Sequence, residues 1–153
     1  MVILAMSNKI GRWSFSAADF VGFKGQINTA YDGGKLLAYP EVEGAVKQGF
    51  APVHLPDGVT VTSLLARGIK ASGGSFSLTL YRQKIDVAVY GVYESMAGVG
   101  DPNVPDDSIS HSIIDNTVYA YYFWLSLKAT VSPPLDTVLY GGYIEYEYDK
   151  VGH

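Results

Sequence analysis

The chain has no cysteine, which excludes disulfides, thiolate metal sites and a cysteine nucleophile together. Charge is scarce as well: Asp, Glu, Lys and Arg make up 17% of the 153 residues, against about 25% in an average soluble protein. So little charge cannot solvate a whole surface, and part of that surface is expected to be occupied by partners. The 11 Lys and Arg are scattered singly and the formal net charge is -4, which argues against a nucleic-acid or anionic-membrane surface. No run approaches the ~20 apolar residues of a membrane span. Helical periodicity is missing beyond short turns near 17–20 or 40–48. No serine sits in a nucleophile elbow, and Gly98-Val99-Gly100 leads into Asp101-Pro102 rather than a helix, so the dinucleotide context fails too. Enzyme chemistry finds nothing to attach to, and no cofactor is expected.

Strand pattern is what the chain has in quantity. The densest apolar run, Asp115 to Leu127, reads as a central β-strand opened by an Asp-Asn turn. Side chains alternate across a strand, so Tyr119, Tyr121, Phe123, Leu125, Leu127, Ala129 and Val131 share the core face. The opposite face carries Val118, Ala120, Tyr122 and Trp124 before it turns polar at Ser126, and something should cover that first half. Further strands are expected at 12–16 with Trp13 and Phe15 inward, at 50–55, 59–70, 75–82, 86–93 and 108–114, and at 138–148. In the last of these, Val138, Tyr140, Ile144, Tyr146 and Tyr148 take one face. Residues 19–49 are broken by glycines and expected to be irregular and interface-forming, although Asp32-Gly33-Gly34 can join a short hairpin. The Gly98 to Asp107 stretch is a proline-bearing loop. This length supports one domain. The fold class expected is all-β, a jelly-roll-like two-sheet β-sandwich over 11–153, preceded by an extended apolar arm at 1–10.

Each patch of candidate chemistry has a plainer structural explanation. His54, His111 and His153 are far apart, and none is paired at ligand spacing, so no metal is expected. The hard oxygens of Asp101, Asn103, Asp106 and Asp107 are of the kind calcium prefers, but a solvated turn accounts for them better. Glu145 and Glu147 sit two residues apart on one strand face, ~7 Å from each other, a separation compatible with glycoside hydrolysis. Both point away from the core beside Asp149, which favours a charged outer face. The 12 tyrosines and 2 tryptophans are a different matter, because exposed aromatics stack on sugars or anchor interfaces. Tyr122, Trp124 and Tyr143 are those that alternation turns off the core.

The runs Phe50-Ala51-Pro52-Val53-His54-Leu55-Pro56-Asp57-Gly58, Leu78-Thr79-Leu80-Tyr81-Arg82, Asp115-Asn116-Thr117-Val118-Tyr119-Ala120-Tyr121-Tyr122 and Tyr140-Gly141-Gly142-Tyr143-Ile144-Glu145-Tyr146 resemble, in the same order, those of a loose group of uncharacterised bacterial and archaeal β-sandwich proteins. These are strand-and-turn motifs, so the resemblance implies a fold and hardly an activity. Members of that group usually look secreted. The opening Met1 to Met6, with Lys9 after it rather than before, is not expected to act as a secretion signal. By type rather than by motif, the chain is also similar to the small trimeric decoration (auxiliary) proteins on capsids of tailed phages from hot environments.

Together these readings lead to a structural role. The expectation is a non-enzymatic, thermostable homo-oligomer, a trimer, that reinforces a viral shell beside its major capsid protein, on a virion surface assembled in the host cytoplasm. Its anchors would be Val2, Ile3, Leu4 and Met6 in the arm, with Trp13, Tyr122, Trp124 and Tyr143 on the sandwich. The alternative is an extracellular carbohydrate-binding module that stacks glycans on exposed tyrosines.

Overall fold

A computed structural model describes residues 8–32, 34–85 and 93–149. Within them the strands are β1 (Lys9–Ser16), β2 (Val21–Gly22), β3 (Ile27–Asp32), β4 (Lys35–Pro40), β5 (Lys47–Val53), β6 (Thr60–Ile69), β7 (Ser75–Lys84), β8 (Tyr93–Val99), β9 (Tyr119–Lys128) and β10 (Val138–Tyr148). They form two antiparallel sheets of five strands each. In the first sheet β10 is flanked by β6 on one side and by β1 on the other, and at Leu139 it meets Ala38 of β4, which carries β3. The second runs β2-β5-β9-β7-β8. From β4 through β7, and again from β9 to β10, the chain changes sheet at each connection or hairpin, which is the jelly-roll-like wiring expected of this pattern.

The long apolar run is the middle strand of the second sheet. Tyr121, Phe123, Leu125, Leu127 and Ala129 are buried as alternation requires, whereas Val131 is exposed because the strand ends at Lys128. Phe123 is the hub. Its ring lies 4.6 Å from Phe15, 6.0 Å from Phe20 and 6.2 Å from Trp13, so one side chain of the second sheet gathers three aromatics from β1 and the turn after it. That turn, Ala17–Asp19, is fixed locally: the Ser16 hydroxyl accepts from the Ala18 N–H, and the Asp19 carboxylate accepts from the Ser16 N–H. Close approach around Phe15 is paid in glycine. A Cβ on Gly142 would stand 2.0 Å from the Leu65 carbonyl oxygen and 2.8 Å from the Phe15 ring, and Gly141 holds φ +153 beside the Phe15 backbone.

Several expectations are revised. Residues 108–114 form no strand; with 103–106 they run along the free edge of β6, where Ile114 N–H bonds to Val59 and Asp106 exchanges two backbone bonds with Leu64. An edge that would otherwise present unpaired amides is covered this way. The region expected to be irregular contains β2, the β3–β4 hairpin closing at Asp32↔Lys35, and the start of β5. β2 is only two residues long and β3 is largely exposed, so neither shows the apolar alternation that reveals a strand in sequence. β8 continues to Val99 inside the expected loop, because Met96, Ala97 and Val99 are buried. In β10 a register shift between Leu139 and Gly141 buries Val138 and Leu139 together, which breaks the expected alternation there. The strand expected at 86–93 lies outside the described residues except for Tyr93.

Phe123→Ala removes the hub ring from a fully buried site. It is expected to lower the unfolding free energy by about 3–5 kcal/mol in urea denaturation. A loss below about 1 kcal/mol would show that Trp13, Phe15 and Phe20 hold the sheets together without it.

Candidate functional site

Alternation that turns Phe123 inward turns its neighbours Tyr122 and Trp124 outward. Register then dictates what stands beside them. Tyr122 is opposite Tyr81 on β7 and Pro52 on β5, and Trp124 is opposite Thr79 and Phe50. Tyr81 and Tyr122 stack at 5.5 Å with 22° between planes, and Tyr93 of β8 meets Tyr81 edge-on at 5.4 Å. On the other side Trp124 lies 6.4 Å from Phe50, nearly parallel, and 6.1 Å from Phe23 in the turn after β2. Tyr81, Tyr93, Tyr122 and Trp124 line a depression of about 280 Å³. The expected cover over this face is not supplied by another segment among the described residues: Tyr93 is 56% exposed, Phe23 41% and Phe50 39%.

Chemically the patch is aromatic and hydroxylated, and the cross-strand neighbours of Tyr81, Tyr122 and Trp124 on this face carry no charge. Burial pushes the Tyr122 phenol above its usual range, and Tyr81 and Tyr93 nearby add to the shift, so it stays a neutral donor and acceptor at any physiological pH. Among the described residues the hydroxyls of Tyr81, Tyr93 and Tyr122 make no hydrogen bond within the chain. Tyr121, on the inward face, is different: its hydroxyl accepts the Asp115 N–H at 2.9 Å. Burial raises its pKa as well, against the lowering effects of that bond and of Arg82.

The remaining anchors expected from sequence do not join this face. Trp13 is half-buried and turned inward against Phe15 and Phe123. Tyr143 is on the outside of the other sheet, where the Arg12 guanidinium lies 4.3 Å over its ring. Val2, Ile3, Leu4 and Met6 lie outside the described residues. Glu145 is paired with Arg12 at 3.1 Å, and Glu147 accepts from the Asn8 amide, which makes them parts of a tied outer face. Two of the loop carboxylates and the Asn103 amide are engaged too. Asp101 meets Lys70 at 3.3 Å, Asp106 accepts the Gly98 and Ser108 N–H groups, and the Asn103 amide donates to the Gly68 carbonyl. His54 is exposed and His153 lies outside the described residues, whereas His111 joins an Arg82–Glu94 pair. Its Nδ1 receives a bond from Arg82 Nη2 at 2.9 Å and its Nε2 faces Glu94 at 3.1 Å, an arrangement the neutral Nε2–H tautomer satisfies at both ends. Among the described residues no three His, Asp or Glu side chains are grouped to hold a metal.

Sequence reasoning found Tyr122 and Trp124 but missed Phe23, Phe50, Tyr81 and Tyr93. Tyr81 was within reach, since Phe76, Leu78 and Leu80 inward leave it outward. Tyr93 was not, because a register shift near Leu80 sets its position.

No protein-family model and no curated protein matches this chain. Among solved structures it is similar to a xylan-binding domain of carbohydrate-binding module family 22, at 14% identity and a TM-score of 0.45, over 90% of this chain and 92% of that one. It is also similar to the C-terminal family 22 carbohydrate-binding module of Clostridium thermocellum Xyn10B, at 14% identity and a TM-score of 0.43, over 90% and 91%. Likeness at this level is one of general architecture.

The two raised phenols give a pH signature. Below the ordinary value of 10.0 folded and unfolded chains both keep these protons, and stability is unaffected. Above it the unfolded chain releases protons that Tyr121 and Tyr122 retain when folded, so stability falls as pH rises. Urea midpoints are expected to drop between about pH 9 and pH 11, less steeply in Tyr122→Phe; identical slopes in the two proteins would contradict this.

Proposed function

We propose that this protein is a non-catalytic carbohydrate-binding module that holds a glycan on the outer face of the second sheet. The observation that carries the reading is the outward-facing row of tyrosines, Tyr93 exposed and Tyr81 and Tyr122 half-buried, whose hydroxyls have no partner within the described chain. A sugar ring has an apolar C–H face that stacks on aromatic carbon and a rim of hydroxyls that needs hydrogen-bonding groups, and a phenol offers both. No carboxylate or imidazole among the described residues shares the face to act as acid or base. Glu145 and Glu147 belong to the opposite sheet, tied to Arg12 and Asn8. Such a module works outside the cell or at its surface, where polysaccharides are met.

A second reading keeps the structural subunit: a trimer that reinforces a viral shell beside its major capsid protein. Val21, Phe23 and Phe50 favour it, since they make an apolar corner against Trp124 and are 57%, 41% and 39% exposed. Apolar corners of this kind close against another protein.

Affinity electrophoresis through gels holding neutral polysaccharides tests the first reading. The wild-type protein should be retarded by at least one, and the Tyr122→Ala/Trp124→Ala variant should bind about tenfold more weakly or worse, a loss of about 1.4 kcal/mol. Free migration of the wild type in every gel, or full retention of the variant, would sink it. Light scattering decides the second: a trimer split by Phe23→Ser/Phe50→Ser supports it, and a monomer at tens of micromolar removes it.

A further inference from the structure

The rings on the outer face form one file. Tyr93, Tyr81 and Tyr122 follow each other at 5.4 and 5.5 Å; Trp124 comes next, two residues along the same strand; Phe50 and Phe23 then flank it at 6.4 and 6.1 Å. Their register gives the file a direction. Tyr93 pairs with Gln83, Tyr81 with Tyr122, and Thr79 with Trp124, so each step toward Phe50 moves across the sheet or along the strands, never back. From β8 to β5 the file crosses three strand spacings, about 14 Å, and from Gln83 to Thr79 it advances about 14 Å along the strands, a diagonal of roughly 20 Å.

Resting on the glycan reading, we infer that the ligand is the interior of a linear, uncharged polysaccharide chain, laid diagonally across β8, β7, β9 and β5 and contacting the order of four pyranose units. Three observations converge on it. The diagonal is too long for a mono- or disaccharide to reach both Tyr93 and Phe50. The flanks are low: Ser95 and Thr79 stand beside the file as cross-strand neighbours of Tyr81 and Trp124, and Gly98 stands opposite Thr79. A pocket that encloses one sugar needs walls around it, whereas small residues beside the described rings leave an open strip on which a chain can lie lengthwise. Charge supplies the third. The cross-strand neighbours of Tyr81, Tyr122 and Trp124 on this face are Ser95, Pro52, Thr79 and Phe50, none of them ionisable. Among the described residues a cation touches the file only at its margin, where the Lys24 ammonium lies 5.5 Å from the Phe23 ring, so a regularly spaced carboxylate along the ligand would go unpaired.

Isothermal titration with β-1,4-linked gluco-, xylo- and manno-oligosaccharides of graded length, on the full chain, reads the inference directly. For the series bound, affinity should climb steadily up to about four units and level off beyond. Tyr93→Ala and Phe50→Ala, at the two ends, should each weaken binding of the longest member several-fold while leaving a disaccharide unchanged, and Tyr122→Ala should weaken both. A disaccharide bound as tightly as the longest member, or a uronic-acid oligomer bound more tightly than its neutral counterpart, overturns the extended neutral chain while leaving a glycan site in place. Absence of binding in every series, together with free migration in the polysaccharide gels, overturns the glycan site itself.

Discussion

One ring makes the rest of this structure necessary. Phe123 reaches from the middle of the second sheet into the first and collects Trp13, Phe15 and Phe20 around it. Its strand has a side-chain period of two, so fixing Phe123 inward also fixes Tyr122 and Trp124 outward. The core and the candidate site are therefore one decision, made by a single run of residues. A one-residue slip of β9 would bury the site and expose the hub, and the cost of that exchange holds the register. Gly141 and Gly142 serve the same contact from the other sheet, since side chains there would collide with Phe15 and with the Leu65 carbonyl.

Where the signal was periodic, the fold was legible. Apolar alternation in 75–84 and 119–128 marked β7 and β9 with the correct inward faces, and turn residues placed the β3–β4 hairpin. What stayed hidden had no local code. The segment 103–114 lies along β6 through backbone bonds whose partners are some 40 to 55 residues earlier in the chain, so its composition says only that it is a loop. Half of the site shows the same limit. Tyr122 and Trp124 follow from alternation within one strand. Phe50 and Tyr93 follow from which strand lies beside which, and a lone sequence does not state that. Trp13 illustrates the converse error. An aromatic on a strand was weighed as an outer anchor, although its own alternation with Phe15 already turned it toward the core.

Scarcity of charge reads differently once positions are known. Several of the charges are tied to partners within the chain. Arg12 serves both Glu145 and Tyr143, Lys70 meets Asp101, Lys47 meets Glu41, and Arg82 is shared among Glu94, His111 and Tyr119. Surface pairs of this sort contribute little to stability, but they leave the aromatic face electrically quiet. They also tie 108–114 to the β7–β8 edge through His111, which steadies the strand that begins at Tyr93.

The two readings of the aromatic face make unequal demands on its hydroxyls. A second protein subunit closing over Tyr81, Tyr93 and Tyr122 would have to provide a hydrogen-bonding group for every phenol it buried, and each one left unpaired would cost about 1–3 kcal/mol. A glycan meets that demand through its own composition, because hydroxyls surround every ring it stacks. No such demand exists at Phe23, Phe50 and Val21, where burial against apolar protein surface is favourable at about 25 cal/mol per Å². The face is thus graded from hydroxylated to bare along a single file. On the glycan reading, sugar fits the file from its tyrosine end as far as Phe50, whose ring offers a stacking face without a hydroxyl, and a contact between protein subunits would lie beyond it at Val21 and Phe23, beside the glycan rather than in its place.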